Sequence, residues 1–149
     1  MLIRVAQSRD IDVVMNWFAD KQWPYPPVDD GFPGIGLVSE LSNGDLVTCM
    51  FLYRTPTSIA QLSWFGHNPD IKSEKLVKDA YNFMISYFQK IQMTLQPPVR
   101  FVEVITKDKA LVDILAECGF YIKNNFIRAT YMAPRSENAN TTNGADGEK

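Results

Sequence analysis

The side chains in this sequence best suited to chemistry are its single histidine, one strand carboxylate and three lysines gathered around one helix start. His67 stands in the turn Gly66-His67-Asn68-Pro69, and an imidazole titrates close enough to neutrality to take a proton from a substrate, directly or through water. Glu103 lies in a segment otherwise apolar on both sides, where partial burial would raise the basicity of its carboxylate. Lys72, Lys75 and Lys78 flank Ser73, a good helix N-cap, so their ammonium groups could neutralise phosphates at that helix start. Each has a plainer reading. The lysines suit a solvated helix face, His67 a hydrogen-bonding turn, and Glu103 a polar contact at a sheet edge or against a helix. Tyr121 offers a phenol directly after Phe120 but also suits an ordinary strand aromatic. Trp23, Tyr25 and Phe32 stand in a stretch rich in proline and glycine, where exposed aromatics suit protein binding.

Composition narrows the classes of function. The chain has 149 residues, 46% of them hydrophobic and 12% aromatic, enough for one substantial core with little left for a second. Fifteen basic and 17 acidic residues leave a net charge of -2, which gives no electrostatic reason to expect nucleic acid or an anionic membrane as partner. Small molecules or proteins are the expected partners. Met1 leads straight into Leu2-Ile3-Arg4, without the basic stretch and apolar segment of a secretory signal. The longest aliphatic and aromatic run, residues 46–53, is too short to span a bilayer as a helix, so a cytoplasmic protein is expected. Cys49 and Cys118 lie far apart with no metal or redox spacing and read as core residues. There is no Walker loop, HExxH, zinc-type cysteine pairing, GxSxG elbow or dinucleotide fingerprint; no metal is expected.

The elements that must position these groups are legible in the patterning. Residues 2–6 predict a first strand, followed by a helix with Ile11, Val14, Met15 and Phe18 at helical spacing, ending near Lys21. Residues 23–34 hold too many prolines and glycines for a regular element. Residues 35–41 and 46–54 predict a hairpin around Asn43-Gly44, the second strand apolar on both faces and so covered on both sides. A strand over 58–65 follows. Ser73 then caps a long helix with Leu76, Ala80, Met84, Tyr87 and Ile91 along a stripe widened by Val77, Tyr81, Phe83 and Phe88. Residues 99–105 predict another strand, 107–118 a short helix closed by Gly119, and 120–122 with 126–132 a second hairpin around Asn124-Asn125. One domain, 1–134, is expected, with a disordered polar tail over 135–149.

This order of elements resembles the GNAT superfamily of acyl-CoA-dependent N-acyltransferases. The opening Ile3-Arg4-Val5-Ala6 followed by Asp10 and an amphipathic helix is similar to the family's start, and residues 102–120, ending in Gly119-Phe120, are similar to its strand, helix and Gly-Phe. The resemblance implies an α/β (α+β) fold with a mixed, mostly antiparallel sheet of six to seven strands and helices on both faces. It also implies acetyl-CoA or another acyl-CoA as co-substrate and a small-molecule or protein amine as acceptor. In the family the pyrophosphate rests on backbone amides of a glycine-rich loop opening the long helix. Here that segment is Lys72-Ser73-Glu74-Lys75-Leu76-Val77, with Lys72 at the basic position but Lys75 and Val77 where the family has glycine. Glu74 places a carboxylate beside the anion site. Trp64 and Phe65, at the end of the preceding strand, would flank the thioester; Leu115 occupies the position of the family's catalytic tyrosine, and Asp108 that of its asparagine.

Two functional readings follow from the resemblance. The first is an N-acyltransferase with His67 as general base, Glu103 as the alternative base and Tyr121 as a substitute acid; the resemblance places the loop of Trp23, Tyr25 and Phe32 on the acceptor side, where they could line a groove for an amine or peptide. The second is a catalytically inactive GNAT-fold module that binds protein, a pattern similar to small phage-encoded GNAT-like proteins that lack the loop glycines. Self-association as a homodimer through the Trp23 loop would favour the second.

Overall fold

A computed structural model of the chain describes residues 1–22 and 34–122. The elements run β1 (Leu2–Val5), a short 3-10 turn (Ser8–Asp10) leading into α1 (Ile11–Asp20), β2 (Ile35–Glu40), β3 (Leu46–Arg54), β4 (Ile59–His67), α2 (Glu74–Ile91), β5 (Phe101–Val104) and α3 (Lys109–Glu117). The five strands form one mixed sheet in the order β1-β2-β3-β4-β5. The first three junctions are antiparallel and β4–β5 is parallel. A parallel junction needs a long crossover, and α2 supplies it.

Local chemistry accounts for each element. Gly44 takes φ +92 in the β2–β3 turn, where Asn43 Oδ1 accepts from the Asp45 amide at 3.1 Å. Ser73 Oγ accepts from the Leu76 amide at 3.2 Å to start α2, and Asp108 Oδ1 accepts from the amides of Ala110 and Leu111 to start α3. Gly119 closes α3 at φ +83.

β3 is buried on both faces, as its apolar run predicts. On one side Val38, Cys49 and Phe51 meet Val14, Trp17 and Phe18 of α1. On the other, Leu37, Met50, Leu52, Ala60 and Leu62 meet Tyr81, Met84, Ile85 and Phe88 of α2 and Leu111, Ile114 and Leu115 of α3. Phe83 and Tyr87, expected in the α2 stripe, are instead 60% and 36% exposed; they stand about a quarter turn or more off the buried face centred on Tyr81, Met84 and Phe88.

The expected six to seven strands become five among the described residues. Residues 120–122, expected to open a hairpin, carry no strand pairing; a hairpin strand is defined only by its partner, and 126–132 lie outside the described residues, as do 135–149 and the loop carrying Trp23, Tyr25 and Phe32. The strand expected over 99–105 shortens to Phe101–Val104, because the amides of Arg100 and Phe101 both turn to Ser58 O at the connection.

One ionic cluster ties the start of the chain together. The Arg4 guanidinium donates to both Asp10 oxygens, at 2.7 and 3.0 Å, and to Glu40 Oε2 at 2.5 Å. Asp10 also accepts from the Gln7 amide at 2.7 Å. The Arg4 hydrogen bonds, helped by that amide, hold the Asp10 carboxyl below its ordinary range against the opposing effect of burial. Asp10 is only 4% exposed, so removing its charge leaves a largely desolvated guanidinium with Glu40 alone. Asp10→Asn is expected to lower unfolding free energy by about 2–3 kcal/mol in urea titration. Because the folded carboxyl is the stronger acid, the unfolded chain takes up protons first as pH falls below 3.8, the ordinary Asp value. Wild-type stability therefore drops through that range and the variant's drops less steeply; equal stability of the two proteins at pH 7 would rule this account out.

Candidate active site

The sheet opens where β4 and β5 part company. Their register runs from Ile59↔Phe101 to Leu62↔Val104 and stops, while β4 continues to His67. Along its other edge β4 pairs with β3, but Phe51↔Ser63 is followed by Cys49↔Gly66. Trp64 and Phe65 thus oppose the single residue Met50, a bulge that bends the strand away from its neighbour. Trp64 sits at φ 53, a conformation a bulky residue holds only where its surroundings leave no alternative.

Those surroundings are specific. The Trp64 ring meets Phe18 edge to face at 6.2 Å and packs with the α1-side cluster. Phe65, one residue on, packs into the α2-side core and meets Tyr81 at 5.8 Å in a T-shaped contact. Gly66 follows with no room for a side chain: a Cβ there would lie 2.9 Å from Cys49 Sγ and 3.0 Å from Phe18 Cζ. The extra residue sends Ser63 and Trp64 successively to the α1 side and restores alternation after them, so His67 falls on the same face as Phe65.

His67 ends β4, opposite Thr48 in register, and is half-buried. Burial, reinforced by the charge of Lys21, pushes its imidazole below 6.5, with Asp108 acting in the opposite direction. It is therefore neutral at pH 7, the state a base requires. Asp108 also acts on the Tyr81 phenol, which burial above all holds well above its ordinary value and so keeps protonated. Phe65 and Tyr81 thus meet on the α2 face of the sheet, the face His67 also takes, and the charge of Asp108 at the start of α3 acts on both His67 and Tyr81. Tyr81 escaped the sequence reading because it lay in the apolar stripe of a long helix; nothing in its spacing distinguishes a core tyrosine from one beside an opening. Tyr53 escaped it too. Its Oη is buried without a hydrogen-bond partner, and burial raises its phenol while the adjacent Trp64 indole offsets part of that effect without making a well-formed bond.

The start of α2 is less committed to anions than its composition implies. Lys72 Nζ donates to Pro69 O at 2.6 Å, Lys75 pairs with Asp79 at 2.5 Å, and Lys78 pairs with Glu117 at 2.7 Å. These exposed contacts weigh little and could yield to a phosphate. The Ser73 hydroxyl and carbonyl take the amides of Leu76 and Val77, which leaves Glu74 and Lys75 at the helix mouth. Lys75 points to solvent, whereas Val77 packs against the main core.

The other expected site residues lie elsewhere. Glu103 is exposed and opposite Gln61, within the paired part of β5, so the burial that was to raise its basicity is not there. Tyr121 is 90% exposed beyond α3. Leu115 is buried in the core. Among the described residues no His, Cys, Asp and Glu cluster could hold a metal, and no helix is long and apolar enough to cross a membrane.

No family model and no curated protein matches the sequence, but solved structures match the fold. A probable acetyltransferase superposes with TM-score 0.64 at 11% identity, over 93% of this chain and 100% of the other. A mutant spermidine N-acetyltransferase from Vibrio cholerae gives 0.57 at 14% identity, over 82% and 80%. A Mycobacterium tuberculosis protein in complex with CoA gives 0.54 at 12% identity, over 87% and 77%. The chain has the α+β fold of the GNAT acetyltransferases.

The packing around the bulge generates a stability test. Gly66→Ala is expected to cost about 1–3 kcal/mol by overpacking, and Cys49→Ala in the same chain should recover part of that loss by vacating the Sγ position. Thermal melts of the single and double variants check this; purely additive losses would show that Cys49 is not what confines Gly66.

Proposed function

We propose that this chain is an N-acyltransferase that moves an acetyl or related acyl group from acyl-CoA to a primary amine. The observation that carries the reading is the stretch of β4 beyond Leu62, which keeps its pairing with β3 but has left β5, is bulged at Trp64 and leads to the N-terminus of α2. An open strand edge offers backbone N–H and C=O groups to an extended amide-bearing chain, and a helix start beyond it favours a diphosphate. The pantetheine arm of acyl-CoA fits the first and its diphosphate the second, with Lys72, Ser73, Glu74, Lys75, Leu76 and Val77 forming the anion end and Trp64 and Phe65 flanking the thioester.

The chemistry then needs a base and an acid. The amine nitrogen attacks the thioester carbonyl, a C–N bond forms and the C–S bond breaks. Neutral His67 takes the proton lost from nitrogen, and the Tyr81 hydroxyl, beside Phe65, is the donor assigned to the departing sulfur. The unsatisfied Tyr53 hydroxyl on the α1 side would meet a polar group of the acceptor. Glu103 and Tyr121, both exposed, have weaker claims to these roles.

A second reading, a non-catalytic protein-binding module, is favoured by one observation: Lys75 and Val77 stand where a close backbone approach needs glycine, with Glu74 beside them. Calorimetric titration with acetyl-CoA and with CoA separates the two. Saturable micromolar binding is expected; absence of heat at millimolar ligand would leave the module.

Thiol release from acetyl-CoA with a panel of primary amines is expected to fall about 10²–10⁴-fold in His67→Ala and markedly in Tyr81→Phe. The wild-type kcat/KM should rise with pH through an inflection below 6.5, as the imidazole loses its proton. Lys21→Ala removes a charge that lowers that value and should move the inflection up; Asp108→Asn should move it down. An inflection that persists in His67→Ala would assign the proton transfer to another group.

A further inference from the structure

The first strand of the sheet presents exposed apolar side chains along its outer edge. Among the described residues β1 pairs with β2 alone. The Ala6 amide donates to Gly36 O at 2.8 Å, which fixes the even-numbered residues of this segment as those bonded to β2. The N–H and C=O groups of Ile3 and Val5 consequently point outward. Edge strands are blunted by shortness, by lysine or proline, or by an inward-pointing charge. β1 is short and its Arg4 is drawn inward to Asp10 and Glu40, yet it carries no lysine or proline, and Met1, Leu2 and Val5 are 46%, 57% and 53% exposed. Beside this edge, Met1, Ile3, Phe83, Ser86, Tyr87 and Lys90 line a cleft of about 280 Å³, and it is here that Phe83 and Tyr87 depart from the buried stripe of α2.

We propose that β1 pairs with β1 of a second copy of this chain, making a two-fold dimer with a continuous sheet. A row of outward amides and carbonyls calls for another strand, and an antiparallel strand is its own complement about a dyad perpendicular to the sheet. That dyad keeps equivalent faces on the same side, so the two α2 helices flank it and each cleft is closed by its counterpart. One operation therefore satisfies both the open backbone and the apolar cleft.

Charge chooses the register. Directly opposed residues must share a face, so the dyad passes through a residue position. Centring on Arg4 would oppose two copies of the Arg4, Asp10 and Glu40 cluster, each with one more carboxylate than cation, which is unfavourable. Centring on Ile3 opposes two outward-facing Ile3 residues, sets Met1 against Val5, both exposed and apolar, and sets Leu2 against the aliphatic stem of Arg4. The strand together with Met1, Val5, Phe83 and Tyr87 of both copies amounts to on the order of 1,000 Å² of buried surface, the lower bound of a specific interface. The dimer is accordingly expected to be in the micromolar range.

Sedimentation velocity of the full chain between about 1 and 200 µM tests this, with a monomer–dimer equilibrium as the expected result. Val5→Pro removes an outward donor that β2 does not use, and is expected to weaken the dimer at least tenfold with an unchanged far-ultraviolet circular dichroism spectrum. Phe83→Lys and Phe83→Glu alter an exposed side chain without touching the core. Each alone should weaken the dimer, and an equimolar mixture should restore association through opposite charges across the dyad. A monomer at 200 µM, a dimer indifferent to these variants, or a mixture no more associated than its components would overturn the proposal.

Discussion

The open end of the sheet depends on one residue too many in β4. Between Ser63 and Gly66 the strand carries an extra residue relative to β3, and Trp64 takes a left-handed backbone angle to absorb it. A strained angle on a tryptophan persists because the alternatives are worse: relaxing it would pull the indole from Phe18 and draw Gly66 from the gap between Cys49 and Phe18. Once the bulge is in place, the last residues of β4 no longer run beside β5, and Phe65 and His67 come to the same face of the opening. The strain and the parting of β4 from β5 are thus one feature.

Buried contacts on opposite sides of the sheet hold that geometry at its two ends. On the α1 side, the Arg4, Asp10 and Glu40 cluster fixes where the first helix begins relative to β1 and β2, which sets the position of Phe18 under Trp64. On the other side, α2 is anchored by Ala80, Met84, Ile85 and Phe88, all essentially buried. That anchoring carries Tyr81 against Phe65 and leaves Lys75 and Lys78 of the same helix in solvent. A ligand bridging the strand edge and the helix start would touch both the buried and the exposed parts of α2.

Residue chemistry alone ranked the site only in part. His67 was singled out as the only histidine, and its place at the end of β4 is compatible with that role. The apolar neighbours of Glu103 point to a part-buried carboxylate, but apolar neighbours bury it only if something covers that face, and here it is exposed. The lysines near Ser73 were conspicuous by charge, while the carbonyl and carboxylates that hold them come from positions up to 39 residues away. Tyr81 and Tyr53 were invisible as anything but core aromatics, because their significance lies in what stands opposite them.

The sequence by itself determined the elements: the Asn-Gly turn, the Ser73 and Asp108 caps, the two-faced apolar β3 and the helical stripes each depend on contacts within a few residues, where side-chain type dictates backbone conformation. Their order was enough to point to the GNAT architecture. Only the tertiary structure decided where β4 leaves β5, which way Trp64 and Phe65 turn, which side chains share the opening with His67, and which face of α2 stays bare beside β1. These outcomes rest on register and on packing between segments distant in the chain, and a one-residue slip in either would move every side chain to the opposite face.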